Sequence, residues 1–311
     1  FLGKPVIKAI TVMRLVGKRR LLRPVVDLLQ KVSVSPERIL RIDKESLDFE
    51  HIKTYDDLNR TALAAFSGKE APCYLIVDEV QEIEEWERAI ISLAARGDID
   101  ILISGSNAHL LSSELATLIS GRYIEIPVYS LGFAEHLQFS EQNRTRRQEE
   151  FSNFLRMGGM PATYHFERDE ELIHQYIGSV YNTILLKDIV KRHAIRNVSL
   201  LENIARYLFD NIGNTMSAKR IADYLKAQRL RVGVDTVQNY LGYFTEALLA
   251  HKVLRYDMKG KRHLELHEKY YLNDIGIRHA LLGYREADIG GILKNIVFLE
   301  LKRRGYSVSV G

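Results

Sequence analysis

The run Cys73-Tyr74-Leu75-Ile76-Val77 followed directly by Asp78-Glu79 constrains this chain more than any other stretch. Five apolar residues without alternation read as a strand buried on both faces, which requires a sheet covered on both sides. Asp100-Ile101-Leu102-Ile103 repeats the pattern. Further strands are expected at Val6–Val12, Arg38–Asp43 and Tyr123–Val128, and helices at Leu21–Leu29, Tyr55–Phe66 and Ile83–Ala95. Strands alternating with helices predict an α/β fold with an open parallel sheet.

Beyond about Pro127 the pattern changes. The stretch 142–150 is polar, Glu170 to Asp210 reads as nearly all helix, and Met157-Gly158-Gly159-Met160-Pro161 reads as a turn. Helices follow at Leu200–Asn211, Ser217–Ala227 and Asp235–Leu249, with Ser217 and Asp235 as N-caps. Strands His251–Asp257 and Leu264–Tyr271 then flank the basic turn Met258-Lys259-Gly260-Lys261-Arg262. Three helices before a β-hairpin give the order of a winged helix-turn-helix. The expected division is 1–135 for the α/β domain, 136–198 for a helical segment and 199–290 for the winged helix, with 291–311 opening a further domain.

The 311 residues suit two or three domains, and 46% hydrophobic with 27% charged residues is a globular balance. No apolar run approaches a membrane span, and no secretory pattern is visible, so no membrane partner is expected. Cys73 is the single cysteine, which excludes an internal disulfide and a multi-cysteine zinc site and fits a reducing cytoplasm. Phe1 in place of Met leads us to expect that the true start is missing. The net charge of +4 permits a nucleic-acid partner without demanding one.

The stretch Val12-Met13-Arg14-Leu15-Val16-Gly17-Lys18-Arg19 follows a strand and opens a helix, the context of a phosphate-binding loop. Backbone N–H groups and the helix dipole favour phosphate there, Gly17 admits close approach, and Lys18 reaches the β- and γ-phosphates. Leu15, Val16, Gly17, Lys18, Arg19 and Arg20 are therefore the candidate ATP-binding residues. Val12 stands where the first loop glycine belongs, and Arg19 where a Mg²⁺-binding hydroxyl belongs.

At the end of the 73–77 strand, Asp78 suits Mg²⁺ held through water, and Glu79 suits orienting or deprotonating an attacking water. The bland alternative is a solvated acidic pair. Asn107, after Ile103-Ser104-Gly105-Ser106, reads either as a γ-phosphate sensor or as a turn or cap. Arg122 reads either as a charge-stabilising guanidinium or as a surface ion pair.

Several further stretches join these in a definite order: Gly3 to Lys8, Ala108 to Leu111, Leu115 to Tyr123, Arg156 to Pro161, Lys187 to Arg192 and Glu268 to Asp274. Together they make the chain resemble the prokaryotic AAA-superfamily ATPases that carry a C-terminal winged helix and a restriction-nuclease-like domain of unknown function. The resemblance implies Lys18 as the Walker A lysine, Asp78 as the Mg²⁺-side carboxylate and Glu79 as the catalytic carboxylate. It further implies Asn107 as sensor and Arg122 as a finger or sensor. Asn295 to Tyr306 is similar to the first helix of the nuclease-like domain, with Glu300 at an early acidic position or merely solvated.

If the winged helix docks on double-stranded DNA, Thr236, Gln238 and Asn239 reach base edges, and Lys219, Arg220, Lys259, Lys261 and Arg262 reach phosphates. Such modules also dock proteins. The expected function is an ATP-binding, Mg²⁺-dependent ATPase coupled to this module, with a homo-oligomer as one arrangement. The alternative is a nucleotide-defective DNA- or protein-binding scaffold.

Overall fold

The computed structural model describes residues 3–310 except 5, 15–17, 107, 109–122, 141–145, 168 and 258–261. It divides into two compact units, one of residues 1–12 with 17–128 and one of residues 13–16 with 129–311.

The first unit is built on β1 (Ile7–Val12), β2 (Ile39–Asp43), β3 (Cys73–Asp78), β4 (Ile99–Gly105) and β5 (Tyr123–Val128). They form one parallel sheet in the order β2-β3-β4-β1-β5. Helices α1 (Lys18–Lys31), α2 (Tyr55–Phe66) and α3 (Trp86–Ala95) cover it. One sheet face presents Ile7, Ala9, Leu75, Val77, Ile101 and Ile103 to Leu58 and Ala62 of α2 and to Ile90 and Leu93 of α3. The other packs Ile10, Ile76 and Leu102 on Leu22 of α1. Both faces being apolar explains the unbroken runs of β3 and β4.

The helix expected from Ile83 starts later. A 3-10 turn fills Val80–Glu82, and Glu84 bridges to Thr54, with the Tyr55 N–H donating to the Glu84 carbonyl at 2.9 Å. That pairing holds Ile83 and Glu84 out of the helix, and Glu85 turns left-handed at φ 51°, so α3 begins at Trp86.

The second unit contains α4 (Phe133–Phe139), α5 (Arg147–Met157), α6 (Glu170–Thr183), a π-helical continuation (Ile184–Lys191) and α7 (Val198–Asp210). Next come β6 (Thr215–Met216), α8 (Ala218–Ala227), α9 (Val234–Glu246), β7 (Ala250–Asp257), β8 (Arg262–Leu272), α10 (Ile275–Leu282) and α11 (Ile289–Arg303). Strands β6, β8 and β7, in that order, make an antiparallel sheet. Arg14, in the short stretch that groups with this unit, forms a two-pronged ion pair with Asp188 at 2.8 and 2.9 Å.

Ser217 caps α8, its hydroxyl accepting from the Arg220 N–H at 3.3 Å. Asp235 is not a cap: Gly233 takes that place, and Asp235 lies in the first turn, where a carboxylate still meets the positive helix end. Helix α9 stops at Glu246 rather than Leu249, because Leu248 turns to φ 54° and the Leu249 N–H returns to the Phe244 carbonyl. Residues 291–303 belong to α11, which is fastened to the hairpin. Asn295 accepts from the Leu272 N–H at 2.7 Å and donates to its carbonyl at 2.9 Å, as a neighbouring strand would. Glu300 is paired with Arg303 and Arg304. Among the described residues no helix is long and apolar enough to cross a membrane.

Candidate nucleotide site

Strands β1, β3 and β4 are adjacent or one strand apart, so their carboxyl ends lie together at one edge of the sheet. In an open parallel sheet this edge is where ligands bind. Lys18, Arg19 and Arg20 open α1, the helix that follows β1. The structure thus ends β1 at Val12 and opens α1 at Lys18. Leu15, Val16 and Gly17 themselves, and the side chains of Lys18, Arg19 and Arg20, lie outside the described residues.

Val12 is the last residue of β1, in register with Val128 and only 1% exposed. The position of the first loop glycine is therefore part of the core, and the loop proper begins at Met13.

Asp78 ends β3 and is 1% exposed. The Ser104 hydroxyl of β4 donates to its Oδ1 at 2.5 Å. Glu79 leaves the strand in the left-handed region, at φ 54° and ψ 50°, a strained conformation for a residue with a Cβ. Successive strand residues point to opposite faces. The turn at Glu79 breaks this alternation, and its carboxylate meets Ser106, two residues beyond Ser104. The Ser106 hydroxyl donates to Oε2 at 3.2 Å, and the Gln81 side-chain amide donates to the same oxygen. Glu79 is 3% exposed and both serines are buried. The solvated-pair alternative for these carboxylates does not describe them.

The donor set suits magnesium in the manner of phosphate-bound Mg²⁺, which takes one or two carboxylates and keeps several waters. Asp78 offers a hard carboxylate oxygen of the kind that role needs. Arg19 offers no hydroxyl, so the remaining ligands fall to water and to the nucleotide's phosphates. Among the described residues no three His, Cys, Asp or Glu side chains cluster as a metal cage.

Asn107 and Arg122 lie outside the described residues. Ser104, Ser106 and Gln81 were missed as site residues by sequence reasoning. The signal was the small polar run after β4, but only the side-by-side packing of β3 and β4 and the turn at Glu79 say which serine meets which carboxylate.

Of the expected nucleic-acid contacts, Lys219 and Arg220 lie exposed in the first turn of α8. Thr236, Gln238 and Asn239 lie in the first turns of α9, the latter two exposed. Lys259 and Lys261 lie outside the described residues, and Arg262 is described by its backbone alone, as the first residue of β8.

A five-stranded parallel sheet with a strand-loop-helix at β1 and paired carboxylates after β3 has the form of a P-loop NTPase. A family model described as an AAA domain matches residues 4–137, and one described as a domain of unknown function (DUF8612) matches residues 148–288. An uncharacterized protein of Haemophilus influenzae is 34% identical over 307 residues, covering 98% of this chain and 76% of its own length. The uncharacterized protein MJ1544 of Methanocaldococcus jannaschii is 31% identical over 260 residues, covering 81% of this chain and 57% of its own. The Walker-type ATPase PABY2304 of Pyrococcus abyssi shares the fold with a TM-score of 0.58 at 14% identity, over 90% of this chain and 91% of that one. Residues 4–137 thus carry an AAA domain with the P-loop NTPase fold. The chain belongs to the same family as the Haemophilus protein.

Proposed function

We propose that this protein binds ATP with Mg²⁺ at the carboxyl ends of β1, β3 and β4 and hydrolyses it, with nucleotide state controlling a DNA-binding module in the second unit. The observation that carries the reading is the pair Asp78 and Glu79, each buried and each held by a serine of the β4 end. Buried carboxylates cost free energy unless they are held by donors. Their placement at the tip of β3, in the sheet whose β1 leads to α1 at Lys18, gives that cost a purpose.

In this reading the loop amides and Lys18 bind the phosphates, and Asp78 holds Mg²⁺ through its waters. Magnesium, when bound, neutralises phosphate charge. Glu79 takes a proton from the attacking water, Asn107 senses the γ-phosphate, and Arg122 stabilises the transferred group. A finger role for Arg122 would need a neighbouring copy and hence a homo-oligomer.

The sequence α7-β6-α8-α9-β7-β8, with sheet order β6-β8-β7, supports a winged helix. In it α9 faces the major groove of double-stranded DNA, and Lys219, Arg220, Lys259, Lys261 and Arg262 meet phosphates.

The second reading, a nucleotide-defective scaffold, draws support from Val12, which is built into β1, and from the missing hydroxyl at Arg19. Equilibrium binding of a labelled ATP analogue, with and without Mg²⁺ and beside Lys18→Ala, separates the two. Saturable micromolar binding lost in Lys18→Ala supports the ATPase, and Arg19→Thr then strengthens the Mg²⁺ dependence. No saturable binding to the folded chain favours the scaffold.

A further inference from the structure

Gln81 presents an imbalance. Its side-chain nitrogen donates to Glu79 Oε2, while its Oε1 is buried with no hydrogen-bond partner among the described residues. A carboxylate only accepts, so the amide must point its nitrogen at Glu79 and its oxygen elsewhere. A buried carbonyl oxygen without a donor is costly, and such a group in a native structure calls for an explanation, an ordered water or a catalytic role among them.

The backbone makes the arrangement rigid. Gln81 sits in the 3-10 turn Val80–Glu82 that starts immediately after Glu79, and the Glu82 N–H closes that turn on the Glu79 carbonyl at 3.0 Å. Val80 is wholly buried beneath it. The left-handed Glu79 and this turn therefore hold both side chains against the end of β4.

We propose that Gln81 positions the hydrolytic water together with Glu79. The amide nitrogen and the Ser106 hydroxyl fix the carboxylate. The amide oxygen accepts a hydrogen bond from the water whose other proton Glu79 removes. The inference rests on the hydrolytic reading above and adds the group that aims the nucleophile. In the step, the water oxygen forms a bond to the γ-phosphorus as its proton passes to Glu79. The bond from the γ-phosphorus to the bridging oxygen breaks, and ADP leaves with that electron pair. The proton on Glu79 is later released to solvent.

The test is steady-state ATP hydrolysis, with ATP affinity measured separately, for the unmutated chain, Glu79→Gln, Gln81→Ala and Gln81→Glu. Gln81→Ala is expected to lower kcat by about tenfold to a hundredfold, the loss of a hydrogen bond to a charged group, with ATP affinity unchanged. Gln81→Glu keeps an acceptor but loses the donor to Glu79, so it should also lower kcat without lowering ATP affinity. A merely structural role would lower affinity and kcat together.

Turnover that is lost in Glu79→Gln but unaltered in Gln81→Ala overturns the inference and leaves the hydrolytic reading standing. Absence of ATP binding, or turnover indifferent to Glu79→Gln, overturns both.

Discussion

The Gly159 N–H donates to Asp274 Oδ2 at 2.8 Å, joining two motifs that lie 115 residues apart in the chain. Asp274 also caps α10 through the Gly276 N–H at 2.7 Å, and the Gly159 carbonyl accepts from the Leu131 N–H at 2.8 Å. The Gly158-Gly159 turn and the Asn273-Asp274 stretch, which the resemblance marked without a role, are one clasp in the second unit.

The clasp tolerates no side chain. A Cβ at Gly159 would lie 2.1 Å from the Leu131 carbonyl oxygen, and one at Gly158, which sits at φ 78°, would lie 2.3 Å from Asp274 Oδ1. Gly159→Ala and Gly158→Ala should each lower stability by about 2–4 kcal/mol. Gly178→Ala, inside α6 with nothing within 4 Å, should instead raise it by about 0.5–1 kcal/mol. Urea midpoints read all three.

At the opposite end of the sheet from the carboxylates, Lys8 is 1% exposed and paired with Asp100, whose other oxygen accepts from the Gly3 N–H at 2.5 Å. Removing one member strands a buried charge, so Lys8→Met should cost about 3–5 kcal/mol. Lys8→Met with Asp100→Leu should recover most of that loss. A double variant no more stable than Lys8→Met would show that the pair is not the source of the effect.

Three buried groups of the second unit set its response to acid. Burial pushes His279 down to about 4, with the adjacent Arg278 charge adding to the effect. It also pushes His251 down to about 4 against an Asn273 hydrogen bond. Each histidine contributes stability that is whole above its ordinary value near 6.5 and is lost as pH falls towards 4. Burial pushes Asp274 up to about 6 against its amide donors, so its contribution is whole below about 4 and is lost as pH rises to 6. Two histidines outweigh one aspartate, so stability should rise between pH 4 and 6.5. His279→Gln should flatten that rise, as measured by urea titrations at half-unit intervals.

If the segment from α7 to β8 acts as a winged helix that meets DNA through phosphates, the logarithm of affinity should fall linearly with the logarithm of salt. Lys219→Ala and Arg220→Ala should each reduce the steepness of that fall by about 0.9, the share of one neutralised phosphate. Fluorescence anisotropy with a duplex probe across salt measures it. A slope indifferent to both changes would remove these residues from the interface.

The sheet was legible because β3 and β4 are apolar on both faces, and their residues sit where the runs placed them. The start of α3 was not, because the Glu84–Thr54 bridge is a contact between distant residues that the helical period of 83–95 does not register. The end of α9 was overrun because the apolar pattern continues through Leu248 and Leu249 while the backbone has already turned. The site was half legible: Asp78 and Glu79 announced themselves, whereas Ser104 and Ser106 are ordinary polar residues until β3 and β4 lie side by side, and Gln81 until the left-handed turn at Glu79 brings it back.

The sequence by itself determined the alternation of strands and helices and the placing of two carboxylates at a strand tip, because side-chain period and strand ends are local properties. Only the tertiary structure decided that Glu79 turns left-handed onto Ser106 and Gln81, and that Gly159 closes on Asp274. Those contacts depend on which segments become neighbours, and that is fixed by packing both faces of the sheet and by filling the space at glycines, not by any local pattern.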